Sequence, residues 1–254
     1  MQGLSSATHR RSAPTLSVLA LAAVAAVALV ALDASGASGA LHHNSGSGSL
    51  SELAGTVALY LVGWALMMLA MMLPTAVALL GAVGRLVEDS TGRTLQAASA
   101  AGFLGTWMVI GYAFRAGDVL VHAGVDAVAW LTARPHLVAA AVLVLAGGYQ
   151  FTALKRRCLT ACRMPTSFVY RHWHGLRPLA EAARIGVAYG VSCVGCCWAL
   201  MLVMFALGMA NVAWMLGLGV VMAVEKNTAV GRRVSGPVGV ALLTAGVIVV
   251  VAGA

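Results

Sequence analysis

Apolar runs long enough to match the thickness of a lipid bilayer leave this chain few ways to fold. Seven follow one another, near Leu16–Leu32, Leu53–Val83, Leu95–Ala116, His136–Leu154, Ile185–Leu207, Asn211–Val224 and Val238–Ala252. A helix needs about 20 apolar residues to cross the hydrocarbon core, with a range of about 17–25. The first, sixth and seventh runs sit at or below that range. Backbone polar groups in lipid must be satisfied within their own segment, so helices are predicted throughout. The chain is 61% hydrophobic and 9% charged, whereas soluble domains carry about 25% charged residues. That balance excludes a soluble globular enzyme, a disordered chain and a nucleic-acid reader. The predicted fold class is all-α, a polytopic transmembrane helical bundle.

Charge sets the orientation. Arg10 and Arg11 precede the first run, and the stretch from Asp33 to Glu52 has no Lys or Arg. Arg85 and Arg93 follow the second run, and a single Arg134 follows the third. Lys155, Arg156, Arg157, Arg163, Arg171, Arg177 and Arg184 fill the next connection, and Lys226, Arg232 and Arg233 follow the sixth run. Positive and non-positive connections alternate, which places the N-terminus inside and the C-terminus outside. In a membrane protein the net charge of +8 is the expected excess of cytoplasmic Lys and Arg. The expected location is the bacterial cytoplasmic (inner) membrane.

Two regions are expected. Residues 1–52 comprise an anchor helix and a flexible Gly/Ser-rich outer loop carrying His42 and His43. Residues 53–254 form the bundle, with a basic inner loop at 155–178. The first helix also has features of a secretory signal, an Arg pair before and Ala34–Ala37 after the apolar run. Cleavage there would leave six helices with the same orientation. Pro74 lacks a backbone donor and is expected to kink the second run.

Sulfur is the chemistry that stands out. Cys158 and Cys162 are four residues apart, so a helix would put them on one face. Arg156, Arg157 and Arg163 are expected to favour their thiolates. Such a pair suits copper(I) or zinc, and His172 and His174 would complete a tetrahedral set. Two small apolar residues at a helix end would read the same way. Further on, Cys193, Cys197, Met201 and Met204 form one helical stripe about 16 Å long, with Cys196 off its edge. Met68, Met71 and Met72 share a face with Trp64 just before Pro74. Counted from the inner ends, both clusters fall at about 12–24 Å depth, so they are expected to face each other. Thiolates and thioethers without hard oxygen ligands suit copper(I). The same Met and Cys residues also suit close packing.

Polar residues inside apolar runs carry their own expectations. Arg115 and Asp118 should form a local ion pair. Gln150 should serve backbone groups freed around Gly147 and Gly148. Asn211 reads as a helix cap, Glu225 and Lys226 as an interfacial ion pair, and Glu88, Asp89 and Asp126 as solvated. Hydrolytic triads, phosphate-binding loops and dinucleotide glycine patterns are missing from the sequence.

These motifs together resemble a bacterial family of predicted metal-binding integral membrane proteins, also called domain of unknown function 2182. The matching stretches are Trp64-Ala-Leu-Met-Met-Leu-Ala-Met-Met-Leu-Pro74, then Gly148-Tyr-Gln150-Phe-Thr-Ala-Leu-Lys155, with Cys158 and Cys162-Arg-Met-Pro165. They continue in Gly190, Cys193-Val-Gly-Cys196-Cys197-Trp-Ala-Leu-Met201, Gly208-Met-Ala-Asn211 and Glu225-Lys226. The resemblance implies metal binding without naming a metal or a reaction.

Three functions follow as expectations. The first is a membrane protein that binds copper(I) or another soft metal, for transport or for delivery to another protein, through Met68, Met71, Met72, Cys193, Cys196, Cys197 and Met201. Cys158 and Cys162 would be its inner donor or acceptor, and a copper protein or membrane complex its partner. The second is a membrane thiol–disulfide oxidoreductase built on Cys193 and Cys196. The third is a non-catalytic assembly subunit whose sulfur serves only as core.

Overall fold

A computed structural model describes residues 17–31, 50–87, 91–206, 212–228 and 230–253. The Gly/Ser-rich loop with His42 and His43, the Arg10–Arg11 pair, the Ala34–Ala37 stretch, Glu88–Asp89, and Gly208–Asn211 with its expected cap lie outside the described residues. Everything regular among the described residues is helical. In chain order the helices are α1 (Ser17–Ala31), α2 (Leu50–Met67), α3 (Val77–Gly84), α4 (Thr91–Asp126), α5 (Ala129–Thr132) and α6 (Pro135–Tyr149). Then come α7 (Ala153–Arg163), α8 (Pro165–His172), α9 (Pro178–Ala206), α10 (Val212–Asn227) and α11 (Gly231–Ala252). A π-helical turn, Met68–Met72, and a 3₁₀ turn, Pro74–Ala76, connect α2 to α3.

Three of these helices are long and apolar enough to cross a membrane: Thr91–Asp126, Pro178–Met204 and Gly231–Ala252. Two bent pairs raise the number to five. One is Val57–Met72 with Pro74–Gly84, bent by 44°. Pro74 cannot donate to the preceding turn, so the backbone re-pairs as Leu73 N–H to Met68 O and Ala76 N–H to Leu73 O, both 3.0 Å. The other is Pro135–Tyr149 with Ala153–Arg163, bent by 65°. Here the chain switches to three successive i→i+3 bonds, from Gln150, Phe151 and Thr152 to Gly147, Gly148 and Tyr149. The first and sixth apolar runs appear as Ser17–Ala31 and the 16-residue Val212–Asn227, below the length of a full span. The seventh begins earlier than its apolar run, at Gly231, and takes Arg232 and Arg233 into the helix.

The chain forms two compact units. The first takes residues up to Met108 and Met164–Gly190. Within it, residues 91–108 of α4 pack on residues 178–190 of α9 through a ladder of glycines. A Cβ at Gly102 would strike the Ala183 carbonyl, one at Gly186 the Ser99 carbonyl, and one at Gly190 the Thr106 side chain. Small residues at this spacing let two backbones approach closely where lipid supplies no hydrophobic drive. Trp64 Nε1 donates to the Trp107 carbonyl at 2.8 Å, and Phe103, Tyr189 and Phe168 form a chain of ring contacts. Ahead of α9, the Glu181 carboxylate accepts the backbone N–H groups of His174, Gly175, Leu176 and Arg177. Gly175 takes a positive φ of 79° there, a conformation glycine adopts without strain.

The second unit takes Val109–Arg163 and the chain from Val191. Gly147 of α6 meets the Gly239 carbonyl and Leu243 of α11, and Gly246 of α11 meets Val144. Arg115 and Asp118 form the expected pair, Nη1 to Oδ2 at 2.9 Å, and His122 Nδ1 joins at 3.2 Å. Asp126 is exposed.

The glycine ladder generates a stability prediction. Gly186→Val in the full chain should cost about 1–3 kcal/mol through overpacking, read as a lower unfolding midpoint in detergent, whereas Gly105→Val, at open space, should leave it near wild type.

Candidate metal centre

The second unit brings the two groups of cysteines together. The basic segment from Lys155 is helical rather than a loop, and α7 buries Lys155, Leu159 and Cys162 on one face. Apolar Leu159 and the i, i+4 spacing of Cys158 and Cys162 define that face. It meets α9, where Cys162 Sγ lies 3.9 Å from Cys196 Sγ. Cys193, Cys196 and Cys197 keep their sulfur atoms within 4.8 Å of one another. Four thiols from two helices thus share one buried locus, each no more than 4% exposed. Cys158 is half-buried, and none of the five cysteines is in a disulfide.

Cys196, off the edge of the helical stripe, is the residue that reaches α7. Its thiol and that of Cys197 both donate to the Cys193 carbonyl, at 3.0 and 2.9 Å. Met201 and Met204 are buried one and two turns further along α9. Gly195 gives Cys158 its place, because a Cβ there would lie 2.5 Å from the Cys158 sulfur. Tyr149 donates to the Gly195 carbonyl and sets its ring edge-on to Trp198 at 5.0 Å.

Charge around the sulfur comes from α10. Lys226 Nζ donates to Cys193 Sγ at 2.9 Å. The adjacent Glu225 turns elsewhere. It binds Lys155 Nζ through both oxygens, at 3.0 and 2.9 Å, and accepts Ser235 Oγ at 2.8 Å. Both residues are buried, so the expected interfacial pair between neighbours is replaced by two separate buried contacts. The reason is geometric: consecutive residues on a helix point about 100° apart. Two of the arginines expected to act on the cysteines are hydrogen-bonded to backbone instead. Arg156 donates to the Phe151 carbonyl and Arg163 to the Glu225 carbonyl, and Lys226 is the cation hydrogen-bonded to sulfur. In a low-dielectric interior a thiolate requires such a partner charge.

Gln150 departs from its expected role. It is 3% exposed, and neither amide atom has a hydrogen-bond partner. The turn after Gly147 and Gly148 closes three backbone bonds of its own without that side chain. The methionines belong to the first unit. Met68, Met71 and Met72 are buried on the π-helical turn, with Trp64 one turn earlier and Thr75 Oγ1 donating to the Met72 carbonyl at 2.8 Å. His172 also lies in the first unit, stacked on Phe168, and His174 is exposed.

Sequence reasoning missed the sulfur contact of Lys226 and the roles of Ser235, Tyr149 and Gly195. The one local signal was the placement of Glu225-Lys226 at the end of an apolar run. The chain matches the model of the PpoB2 family, described as copper chaperone, over residues 61–249, and it belongs to that family. No curated protein and no solved structure matches it. The family and the buried Cys193, Cys196 and Cys197 cluster point to copper-related metal handling.

Removing one partner of the buried pair should be more damaging than removing both. Lys155→Met strands Glu225 and should cost about 3–5 kcal/mol, most of it recovered in Lys155→Met with Glu225→Met. Denaturant unfolding of the three proteins in detergent measures this.

Proposed function

We propose that this family member is a multi-pass protein of the bacterial cytoplasmic membrane that holds copper(I) on buried sulfur and delivers it to a copper protein or membrane complex. The observation that carries the reading is the convergence of Cys162, Cys193, Cys196 and Cys197 with Lys226 against Cys193. Copper(I) is the cargo. Soft thiolate sites without carboxylate ligands favour it over magnesium, calcium or manganese. Copper(I) with two thiolates carries one negative charge. Lys226 cancels that charge, while Glu225 neutralises Lys155. Burial excludes water and oxygen ligands from the ion. Since Cys162 lies against Cys196, we favour copper(I) in the joint cluster over zinc at Cys158 and Cys162 alone.

In this reading seven helices cross the membrane with the N-terminus inside. Met201 is a weaker thioether ligand near the thiols, and Met68, Met71 and Met72 are a separate group of soft thioether ligands in the first unit. Trp64 and Pro74 hold the shape of the methionine turn. A thiol–disulfide exchange reading gains support from the 3.9 Å separation of Cys162 and Cys196. Thiol-directed alkylation with and without reductant separates the two: equal labelling in both samples removes the redox reading.

Copper content tests the proposal directly. Full-length protein, purified in detergent and loaded anaerobically with copper(I), should retain copper through gel filtration. Cys193→Ser with Cys197→Ser should lose it. Metal-free wild type, or undiminished binding in the double variant, overturns the reading. Lys226→Met should bind copper(I) about tenfold or more weakly, the equivalent of about 1.4 kcal/mol of charge pairing, measured by competition with a copper(I) chelator.

A further inference from the structure

We propose that Cys158 is the exchange ligand of the cluster, the sulfur through which copper(I) passes between the buried thiols and an external donor or acceptor that itself presents a thiolate. The inference rests on reading the cluster as a copper(I) site. It adds a division of labour among five cysteines that are otherwise equivalent in type.

Accessibility makes the division. Cys162, Cys193, Cys196 and Cys197 are at 4%, 1%, 1% and 1% exposure, so no external sulfur reaches them without moving a helix. Cys158 is half-buried. It stands one helical turn before Cys162 on the same face of α7, and Cys162 touches Cys196. The seat under Cys158 is Gly195, the residue next to Cys196. A Cβ at Gly195 would lie 2.5 Å from the Cys158 sulfur and 3.3 Å from its Cβ. The sulfur therefore rests on bare backbone beside the cluster, a place that any side chain on residue 195 would fill. Tyr149 fixes that backbone through the Gly195 carbonyl. Arg156 and Arg157, exposed beside Cys158 on α7, give the rim a positive charge that attracts an incoming thiolate.

The exchange conserves atoms and charge. Copper(I) bonds Cys158 as that thiol passes its proton to a buried sulfur whose bond to copper breaks; an incoming thiolate then bonds copper as the remaining buried bond breaks, and the Cys158–copper bond breaks last as a second acceptor ligand replaces it. Copper remains copper(I), and no electron moves. The sulfur that lets go takes the proton released by the incoming thiol. Delivery is one such sequence and loading is its reverse. Ligand exchange lets the ion cross from buried to accessible sulfur without ever being bare.

Transfer kinetics test the assignment. Anaerobic copper(I)-loaded full-length protein is mixed with bicinchoninate in a stopped-flow instrument, and equilibrium competition with the same chelator gives affinity. Cys158→Ser should keep its copper, hold affinity within about threefold of wild type and transfer at least about tenfold more slowly, an effect on rate rather than equilibrium. Gly195→Ala keeps the thiol and pushes its sulfur off the seat, so it should also slow transfer. In the wild type, a charged maleimide followed by peptide mapping should label Cys158 first. Wild-type transfer rates in Cys158→Ser, loss of copper from that variant, or first labelling at another cysteine each overturn the proposal. If wild type binds copper and Cys158→Ser transfers normally, only this assignment fails. If wild type binds none, the copper reading fails with it.

Discussion

Charge in an apolar interior must find charge, and in the second unit that requirement fixes how four helices stand together. Glu225 and Lys226 are neighbours on α10 and point in different directions. Glu225 ties α10 to α7 through Lys155 and to α11 through Ser235. Lys226 ties α10 to α9 through a sulfur. An isolated buried charge costs several kcal/mol after relaxation, so each contact is close to obligatory. The thiol cluster lies where these ties bring α7 and α9 together. A helix of ordinary apolar residues would pack well in several registers, and the paired charges select one.

Glycine does the complementary work. Gly102, Gly186 and Gly190 bring two helices of the first unit together, and Gly147, Gly239 and Gly246 do so in the second. Where helices meet in lipid, apolar side chains gain little from association, and close backbone approach takes the place of hydrophobic drive. At Gly195 the same absence of a side chain makes room for a sulfur atom instead of a helix. One residue type thus serves both packing and the site.

The apolar helices were legible because a run of about 20 apolar residues has few physical readings. Pro74 announced the first bend through its missing donor. The second bend was hidden, because Gly147-Gly148 within an apolar run is equally compatible with a straight helix and the break depends on what α7 must reach. The sulfur-rich stripe on α9 was legible from period alone, with one omission. Cys196 lies about 60° from Cys193 around the helix, and only the position of α7 decides that this side is the important one. Lys155 and Glu225 stand 70 residues apart, so their pairing leaves no local trace in the sequence. The arginines beside Cys158 and Cys162 misled for a related reason: proximity in sequence does not aim a guanidinium, and two of them turned to carbonyls.

The Cys193 carbonyl already receives two thiol protons, from Cys196 and Cys197. Both donors disappear if those sulfurs lose their protons. Side-chain donation to a carbonyl in this way tends to bend a helix, so the protonation of these two thiols bears on the backbone geometry at a single peptide group. The protons on two sulfur atoms are thereby coupled to one backbone carbonyl in the middle of α9.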